Sequence, residues 1–323
     1  MNRILVTGGA GFLGSHACKG LARAGFEPVT FDNLSRGHRE AVRWGPFVEG
    51  DLCHKNSIQD ALARFKPDAV IHFAAVAYVE ESVIDPLRYY RNNVVSTINL
   101  VAAMAEEGVG TIVFSSSCTT YGIPDSIPIR ETAPLNPINP YGHSKLMGEQ
   151  IVADAANAHA MSFAILRYFN ASGADPEGEL GEDHDPETHL IPLTIDAALG
   201  NGPTLKVFGT DYPTSDGTCI RDYIHVSDLA AAHVSATQHL LDGKPSFTAN
   251  LGTGCGASVR EVIEMVERVA GRKVPVEWTD RRPGDPPILV ADVSLARRLL
   301  GSHQSHSDLT TIVETALRSR SKR

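Results

Sequence analysis

Along the first half of the chain, short apolar runs alternate with longer stretches in which apolar side chains recur every three or four positions. The short runs predict strands at Arg3–Thr7, Pro28–Asp32, Pro46–Glu49, Ala69–Phe73, Thr111–Ser115 and Ser162–Leu166. The longer stretches predict helices at Phe12–Ala24, Ile58–Phe65, Leu87–Glu107 and Tyr141–His159. Strands that alternate with helices require parallel crossovers, and strands apolar on both faces belong inside such a sheet. The expected fold class is therefore α/β, with a doubly wound parallel sheet. After Arg167 the texture changes. Asn170–Glu187 is rich in Gly, Pro, Asp and Glu and predicts a long irregular loop. Helices near Leu190–Leu199 and Ser258–Ala270 follow. A polar, Pro-rich segment, Arg281–Pro287, then leads to a short strand at Ile288–Asp292.

A chain of 323 residues suits two lobes better than one core. Its net charge of -9 repels nucleic acid and anionic membrane, so neither is expected as a partner. An anionic ligand must instead meet a local cluster of donors. No apolar run approaches the ~20 residues that span a bilayer. Met1-Asn-Arg3 leads straight into the first strand, so a soluble cytoplasmic protein without a leader is expected. The five cysteines form no C-x-x-C pair and read as free thiols of a reducing compartment. His184 and His189 lie among acids in Gly181–His189, which reads as a surface loop, and no metal is expected. The basic end, Arg318–Arg323, reads as a frayed, solvated tail.

Gly8, Gly9, Gly11 and Gly14 fall where the first strand ends and the first helix begins. Glycine is needed there because the turn is tight, the backbone must approach a pyrophosphate and the helix must pack close to the strand. The helix N-terminus offers its amides to the phosphates. A glycine triplet alone is a weak signal. Here an acid, Asp32, ends the second strand eighteen residues past Gly14. Its carboxylate can accept from ribose hydroxyls and would repel a 2′-phosphate, so NAD is the expected cofactor. Asp51 follows the third strand, within reach of the adenine. Phe73, Ala74 and Ala75 end the fourth strand, where small residues let a cofactor lie on backbone. Asn92, on the next helix, is a further candidate.

Tyr141 and Lys145 stand four residues apart near the start of a helix and so share a face. A free phenol is a poor base at neutral pH, and a nearby ammonium favours its ionised form. The Y-x-x-x-K spacing arises often by chance. It gains weight from lying after the fifth strand of a nucleotide-binding sheet. Ser117 and Thr119 close that strand at its carboxyl end, where doubly wound folds place their ligands.

These segments resemble the extended short-chain dehydrogenase/reductase superfamily and, within it, the UDP-hexose 4-epimerases. The likeness runs through almost the whole chain: Val6–His16, Val70–Ala75, Phe114–Ser117, Asn139–Met147, Leu166–Asn170, Asp216–Val226, Asn250–Gly254 and Arg281–Asp285. It implies a Rossmann domain at 1–169, rejoined by 219–252, and a smaller α/β lobe for the UDP-sugar at 170–218 and 253–323. It implies transient oxidation at C4, interconverting UDP-glucose and UDP-galactose. The alternatives are UDP-arabinose/UDP-xylose or 2-acetamido UDP-sugars. Tyr141 matches the acid/base, Lys145 its partner and Ser117 the contact to the reacting hydroxyl. The implied NAD contacts are Gly8, Gly11, Phe12, Leu13, Gly14, Asp32, Asn33, Asp51, Leu52, Phe73, Ala74, Ala75, Asn92, Ser115, Tyr141, Lys145 and Tyr168. The implied substrate contacts are Ser117, Thr119, Tyr141, Asn170, His189, Leu190, Phe208, Arg221, Arg282 and Asp285. Of these, Arg221 and Arg282 match a diphosphate clamp, Leu190 and Phe208 pack the uracil end, and Asp285 meets the ribose. A homodimer packed through helices of the cofactor domain is also implied. The chain departs from the pattern at Ala77, where many relatives carry Lys, and at His189, where others carry Asn. Leu289 takes the position that gates bulky 2-acetamido sugars. The related 4,6-dehydratases carry an acid pair where this chain has Thr120 and Tyr121, which argues against that reaction.

Overall fold

The computed structural model describes residues 1–282 and 284–321. Pro283 of the polar segment, and Lys322 and Arg323 of the basic tail, lie outside the described residues. In chain order the strands are β1 (Arg3–Thr7), β2 (Glu27–Asp32), β3 (Phe47–Glu49), β4 (Ala69–His72), β5 (Thr111–Ser117), β6 (Ser162–Tyr168), β7 (Asn170–Ser172), β8 (Leu205–Phe208), β9 (Ile220–His225), β10 (Phe247–Leu251), β11 (Gly256–Ser258), β12 (Val276–Thr279) and β13 (Ile288–Leu289). The α-helices are α1 (Phe12–Arg23), α2 (Lys55–Phe65), α3 (Val79–Ile84), α4 (Pro86–Tyr89), α5 (Ser96–Glu107), α6 (Pro140–His159), α7 (Leu190–Leu199), α8 (Val226–Leu241), α9 (Val259–Ala270), α10 (Ser294–Leu300) and α11 (Leu309–Arg320).

Seven parallel strands form the main sheet, in the order β10-β6-β5-β4-β1-β2-β3. The chain starts in the middle, winds to one edge and returns to build the other. This leaves a switch point between β1 and β4, where ligands bind at the carboxyl ends of strands. Apolar side chains fill both faces. Ile4, Val6 and Ile71 pack under Leu21 of α1 and Leu229, Ala232 and Ala236 of α8. Leu5, Val70 and Ile112 pack under Leu62 of α2 and Leu100 and Met104 of α5. The fold class is thus the α/β, doubly wound one that the alternating pattern predicts.

Beyond the main sheet, β9 pairs with β11, β13 and β7, and β8 pairs with β12. A separate core of Ile191, Ile195, Val207, Val262, Val266 and Ile312 holds α7, α9 and α11 over these strands. Helix α9 begins at a capping box. The Ser258 hydroxyl accepts from the Glu261 amide, and the Glu261 carboxylate accepts from the Ser258 amide.

Several expectations need correction. The stretch 87–107 is not one helix, since a π-helical turn, Tyr90–Val95, separates α4 from α5. The widened turn presents Asn93 to the loop after β4. Its amide donates to Val76 O (3.0 Å) and its carbonyl accepts from Val76 N (2.9 Å). The predicted loop 170–187 opens with a strand, β7, because Asn170–Ser172 finds a parallel partner in β9. The return to the main sheet begins later than 219. Residues 220–225 pair within the small sheet, and the crossing is made by α8 and β10. The strand expected at 288–292 has only a two-residue ladder, with an isolated bridge from Ala291 to Ile129. All five cysteines are free. Among the described residues no helix is long and apolar enough to cross a membrane.

Candidate active site and cofactor cleft

The carboxyl ends of β1, β2, β4 and β5 open into one continuous cleft of about 1150 Å³. It runs from the glycine turn across Tyr141 to Phe208, Arg221, Arg282 and Asp285. Every site residue expected from the sequence lines it except Ser115. Ser115 is buried behind the wall, where its carbonyl accepts from Lys145 Nζ at 2.8 Å. It therefore reaches the site through that lysine and through Tyr168, which hydrogen-bonds to it.

The glycine turn fits a dinucleotide. Gly8 has φ +72°, and a Cβ there would lie 2.7 Å from Ala74 N. A Cβ on Gly14 would lie 2.1 Å from Gly8 O. Either side chain would push the turn off the start of α1. The N-cap of α1 is Gly11, which has no side chain to occupy the first amides, so they remain for a diphosphate. Asp32 is fixed by two backbone donors, Ala10 N (3.0 Å) and Leu34 N (2.8 Å), and burial raises its pKa. Asp51 is pinned by Cys53 N (2.8 Å) and Asn33 Nδ2 (3.2 Å). Both carboxylates reach the adenosine end of the cleft preorganised.

The chemistry-bearing side chains come from β5 and α6. Helix α6 starts where it does because Pro140 occupies its first turn and Asn139 caps it, accepting from Gly142 N at 2.8 Å. That start puts Tyr141 and Lys145 on the face against β5. Both are buried, at 5% and 4% exposure. Ser117 Oγ accepts from Thr119 N (3.2 Å) and Thr119 Oγ1 (3.0 Å), which fixes its position beside Tyr141. Burial, then Tyr168, pushes the Tyr141 phenol well above its usual pKa, while a hydrogen bond to Ser117 draws it down. Lys145 Nζ lies 6.0 Å from the Tyr141 ring centre, and burial lowers its own pKa to about 8. The expectation that the lysine sets the tyrosine's pKa therefore needs refining. Among protein groups, desolvation dominates and keeps Tyr141 as a phenol. Tyr168, half-buried and pushed up to about 12 by desolvation, hydrogen-bonds to Tyr141 as well.

At the far end, Arg282 stacks on the Phe208 ring, 3.8 Å from its centre, and pairs with Glu80 at 2.6 Å. Arg221 lines the same wall, its guanidinium donating to Ile220 O at 2.9 Å. Asn170 donates to Asp222 O at 3.1 Å. Helix α7 begins at Leu190 with its N-terminus at the cleft, so its first amides add to the donors there. The segment before it is largely the exposed loop that its composition predicts, with Asp183, Asp185, Pro186, Thr188 and His189 at the surface, but Glu182 turns inward. Glu182 is 6% exposed and His189 lines the cleft. Burial opposes charge on His189, but Glu182 and Glu187 outweigh it and push its pKa up to about 10.

Sequence reading missed several cleft residues: Arg36, Tyr78, Glu80 and Glu182. It also missed Asn93, which shapes the cleft from behind, and Glu149, one turn beyond Lys145. No motif marks them, because their roles arise from contacts with distant segments. Leu289 is buried against Cys118 and Phe169, which line the cleft, and against Tyr121 and Ile129. Thr120 and Tyr121 are turned away from the cleft, Thr120 Oγ1 donating to Ser117 O and Tyr121 to Asn250 Oδ1.

The chain matches the model of the NAD dependent epimerase/dehydratase family over residues 4–252. It is 52% identical over 313 residues to a UDP-glucose 4-epimerase of Rhizobium leguminosarum bv. trifolii, covering 97% of this chain and 95% of that one. Its structure matches that of the UDP-glucose 4-epimerase from Brucella ovis in complex with NAD. The TM-score is 0.96, with 55% identity and 98% of each chain covered. The UDP-glucose 4-epimerase from Bifidobacterium longum in complex with NAD+ and UDP matches with a TM-score of 0.95. The identity is 38%, covering 100% of this chain and 99% of that one.

Proposed function

This chain belongs to the NAD dependent epimerase/dehydratase family, and we propose that it interconverts UDP-glucose and UDP-galactose by transient oxidation at C4 with a tightly bound NAD. The observation that carries the reading is one cleft holding three things together: a dinucleotide cradle, a Ser117–Tyr141–Lys145 set and an arginine pair. NAD bound there would supply a reversible hydride acceptor for C4. Gly8, Gly11, Phe12, Leu13 and Gly14 hold its diphosphate. Asp32 and Asn33 hold its adenosine ribose, with Asp51 and Leu52 at the adenine. Phe73, Ala74, Ala75, Asn92, Lys145 and Tyr168 line the nicotinamide half.

Tyr141 Oη takes the proton from the C4 hydroxyl and later returns it. Ser117 Oγ holds that hydroxyl in line, and Thr119 orients Ser117. Tyr141 accepts the hydroxyl proton as a phenolate and returns it as a phenol, and Lys145 supplies the positive charge that stabilises the phenolate. Because the sugar must present both faces, its pocket makes few contacts. The grip falls on UDP: Arg221 and Arg282 on the diphosphate, Asn170 and His189 beside them, and Leu190, Phe208 and Asp285 on the uridine. Bidentate guanidinium groups suit phosphate oxygens, and in a chain of net charge -9 they must be placed locally. Elimination of water, the dehydratase reaction, lacks its acid pair, since Thr120 and Tyr121 are neutral and buried.

We assign the cofactor half to residues 1–169 together with the α8–β10 return, and the UDP-sugar lobe to the segments around α7, α9 and α11. We also propose a cytoplasmic homodimer. Leu87, Val95, Ile98 and Met147, exposed along α4 to α6, support an apolar contact there.

The deciding experiment incubates the purified protein with UDP-glucose, UDP-galactose, UDP-xylose and the 2-acetamido UDP-sugars, without added cofactor cycling. C4 inversion of UDP-glucose is expected, and absence of inversion for every UDP-sugar refutes the proposal. Arg282→Ala is expected to raise KM for UDP-glucose by about 10–100-fold with a smaller change in kcat, matching the loss of ~1.5–3 kcal/mol from charge-assisted bonds. An unchanged KM removes Arg282 from the clamp. Lys145 is charged below about pH 8 and neutral above it. Support for the phenolate is lost as pH rises, so kcat falls through that range. A flat kcat profile across about pH 7–9 contradicts this role.

A further inference from the structure

Between the small-sheet strand β7 and helix α7, the segment Glu182–His189 buries Glu182 and gathers four side chains able to ligate a metal. Glu182 Oε1 lies 3.1 Å from His184 Nδ1 and 2.9 Å from His189 Nδ1. Glu187 Oε1 lies 2.9 Å from His189 Nδ1 and 3.8 Å from His184 Nδ1. All four ligand atoms fall within 4.8 Å of one another. Bonds of ~2.0–2.2 Å to a tetrahedral ion require edges of ~3.3–3.6 Å, and these separations bracket that range.

Hydrogen bonding accounts for the Glu187 side of the cluster, where Oε1 accepts from Thr188 N (2.9 Å), His189 N (3.0 Å) and His189 Nδ1 (2.9 Å), but not for the approach of Glu182 to His184. Glu182 Oε1 and His184 Nδ1 are both buried and 3.1 Å apart, yet neither atom makes a hydrogen bond. A carboxylate that is 6% exposed therefore points at the ring nitrogens of both His184 and His189. Such an arrangement is costly for a proton-mediated contact and ordinary for ligands aimed at a common centre. The acidic trio Asp175, Glu177 and Glu179 differs. Lys19 Nζ fills it at 2.7, 3.0 and 2.5 Å.

We propose that Glu182, His184, Glu187 and His189 bind one divalent transition-metal ion, with Zn²⁺ the best fit to two imidazole nitrogens and two carboxylate oxygens. Two carboxylates balance the dication's charge. The surroundings orient the ligands as outer-shell groups do. Arg320 NH1 faces Glu187 Oε2 at 3.6 Å, and the His184 ring packs edge-on against Phe12 and Tyr78, 6.0 Å from each. Coordination through Nδ1 leaves His189 Nε2 to face the cleft. The ion would fasten the segment that carries His189 and Leu190 to the glycine-turn side. There the segment already meets His38 and Arg36, at Asp183 O and Asp185 O respectively.

The test uses tag-free, NAD-loaded protein stripped with a chelator and titrated with Co²⁺, then Zn²⁺. One equivalent of Co²⁺ is expected, with the visible absorption of a tetrahedral N/O site, displaced by one equivalent of Zn²⁺. In Glu182→Gln and in His184→Ala, each checked for NAD content and circular dichroism, affinity should fall by more than the ~10–100-fold that outer-shell changes cost. No stoichiometric binding, or equal binding in wild type and both variants, overturns the site. The readout does not depend on turnover, so it stands or falls separately from the epimerase reading.

Discussion

Tyr141→Phe is expected to lower kcat for C4 inversion by about 10²–10⁴-fold, the usual contribution of a positioned acid/base. The substitution removes one oxygen and keeps the ring. The ring packs with Val76 and Tyr89 in a small buried cluster, so the fold should not change. The NAD contacts proposed above fall mainly on the glycine turn and Asp32, so the bound cofactor should persist. Measurement of kcat together with NAD content on the purified variant separates the two effects. Full activity removes Tyr141 from its role, whereas loss of NAD along with activity makes it a structural residue. The geometry sharpens why a phenol serves here. Protein groups alone hold its pKa high. Positive charge from Lys145 and the cofactor must therefore offset that burial for the phenolate to form before it takes the C4 proton.

Arg167→Met is expected to destabilise the fold by about 3–5 kcal/mol, as removal of one partner from a buried ion pair does. Arg167 and Glu149 meet through two hydrogen bonds, Nε–Oε1 at 2.9 Å and Nη2–Oε2 at 2.6 Å. Both residues are 5% exposed. Glu149 also accepts from Ser116 Oγ at 2.5 Å, and Arg167 donates to Tyr121 Oη at 3.0 Å. The pair thus ties α6 to β5 and β6 directly beneath Lys145. Without the guanidinium, Glu149 is left charged and buried. Denaturant unfolding of Arg167→Met, Glu149→Gln and the double variant checks this. The double variant should recover most of the loss, because no buried charge remains. If Arg167→Met unfolds at the wild-type midpoint, the pair contributes nothing.

The legibility of this chain follows from the range of the contacts involved. The Gly8–Gly14 turn, Asp32 and the first six strands could be read because their signals are local. A tight turn needs glycine, and a buried parallel strand needs continuous apolar residues. Strand β9 and helix α8 escaped the pattern. Polar Asp222 and His225 interrupt the first, and the second is Ala-rich with a weak amphipathic stripe. Burial of those polar groups is satisfied only across the fold, Asp222 Oδ1 by Thr253 and His225 by Thr315. The π turn at 90–95 was invisible for a similar reason. Its residues suit an ordinary helix, and only the clip between Asn93 and Val76 explains the extra residue.

By itself, then, the sequence determined the winding of the main sheet, the cofactor turn and the pairing of Tyr141 with Lys145 on one helix face. Each depends on residues a few positions apart, where backbone geometry alone sets the relation. The tertiary structure decided what surrounds that pair: the burial that raises Tyr141 and lowers Lys145, the Glu149–Arg167 tie beneath them, and the Glu80 contact on Arg282. It also drew Glu182, His184, Glu187 and His189 of the acidic loop together, with Glu182 buried. Desolvation and ion pairing are set by which segments meet in space, and that is fixed only when the two halves of the chain close on one cleft.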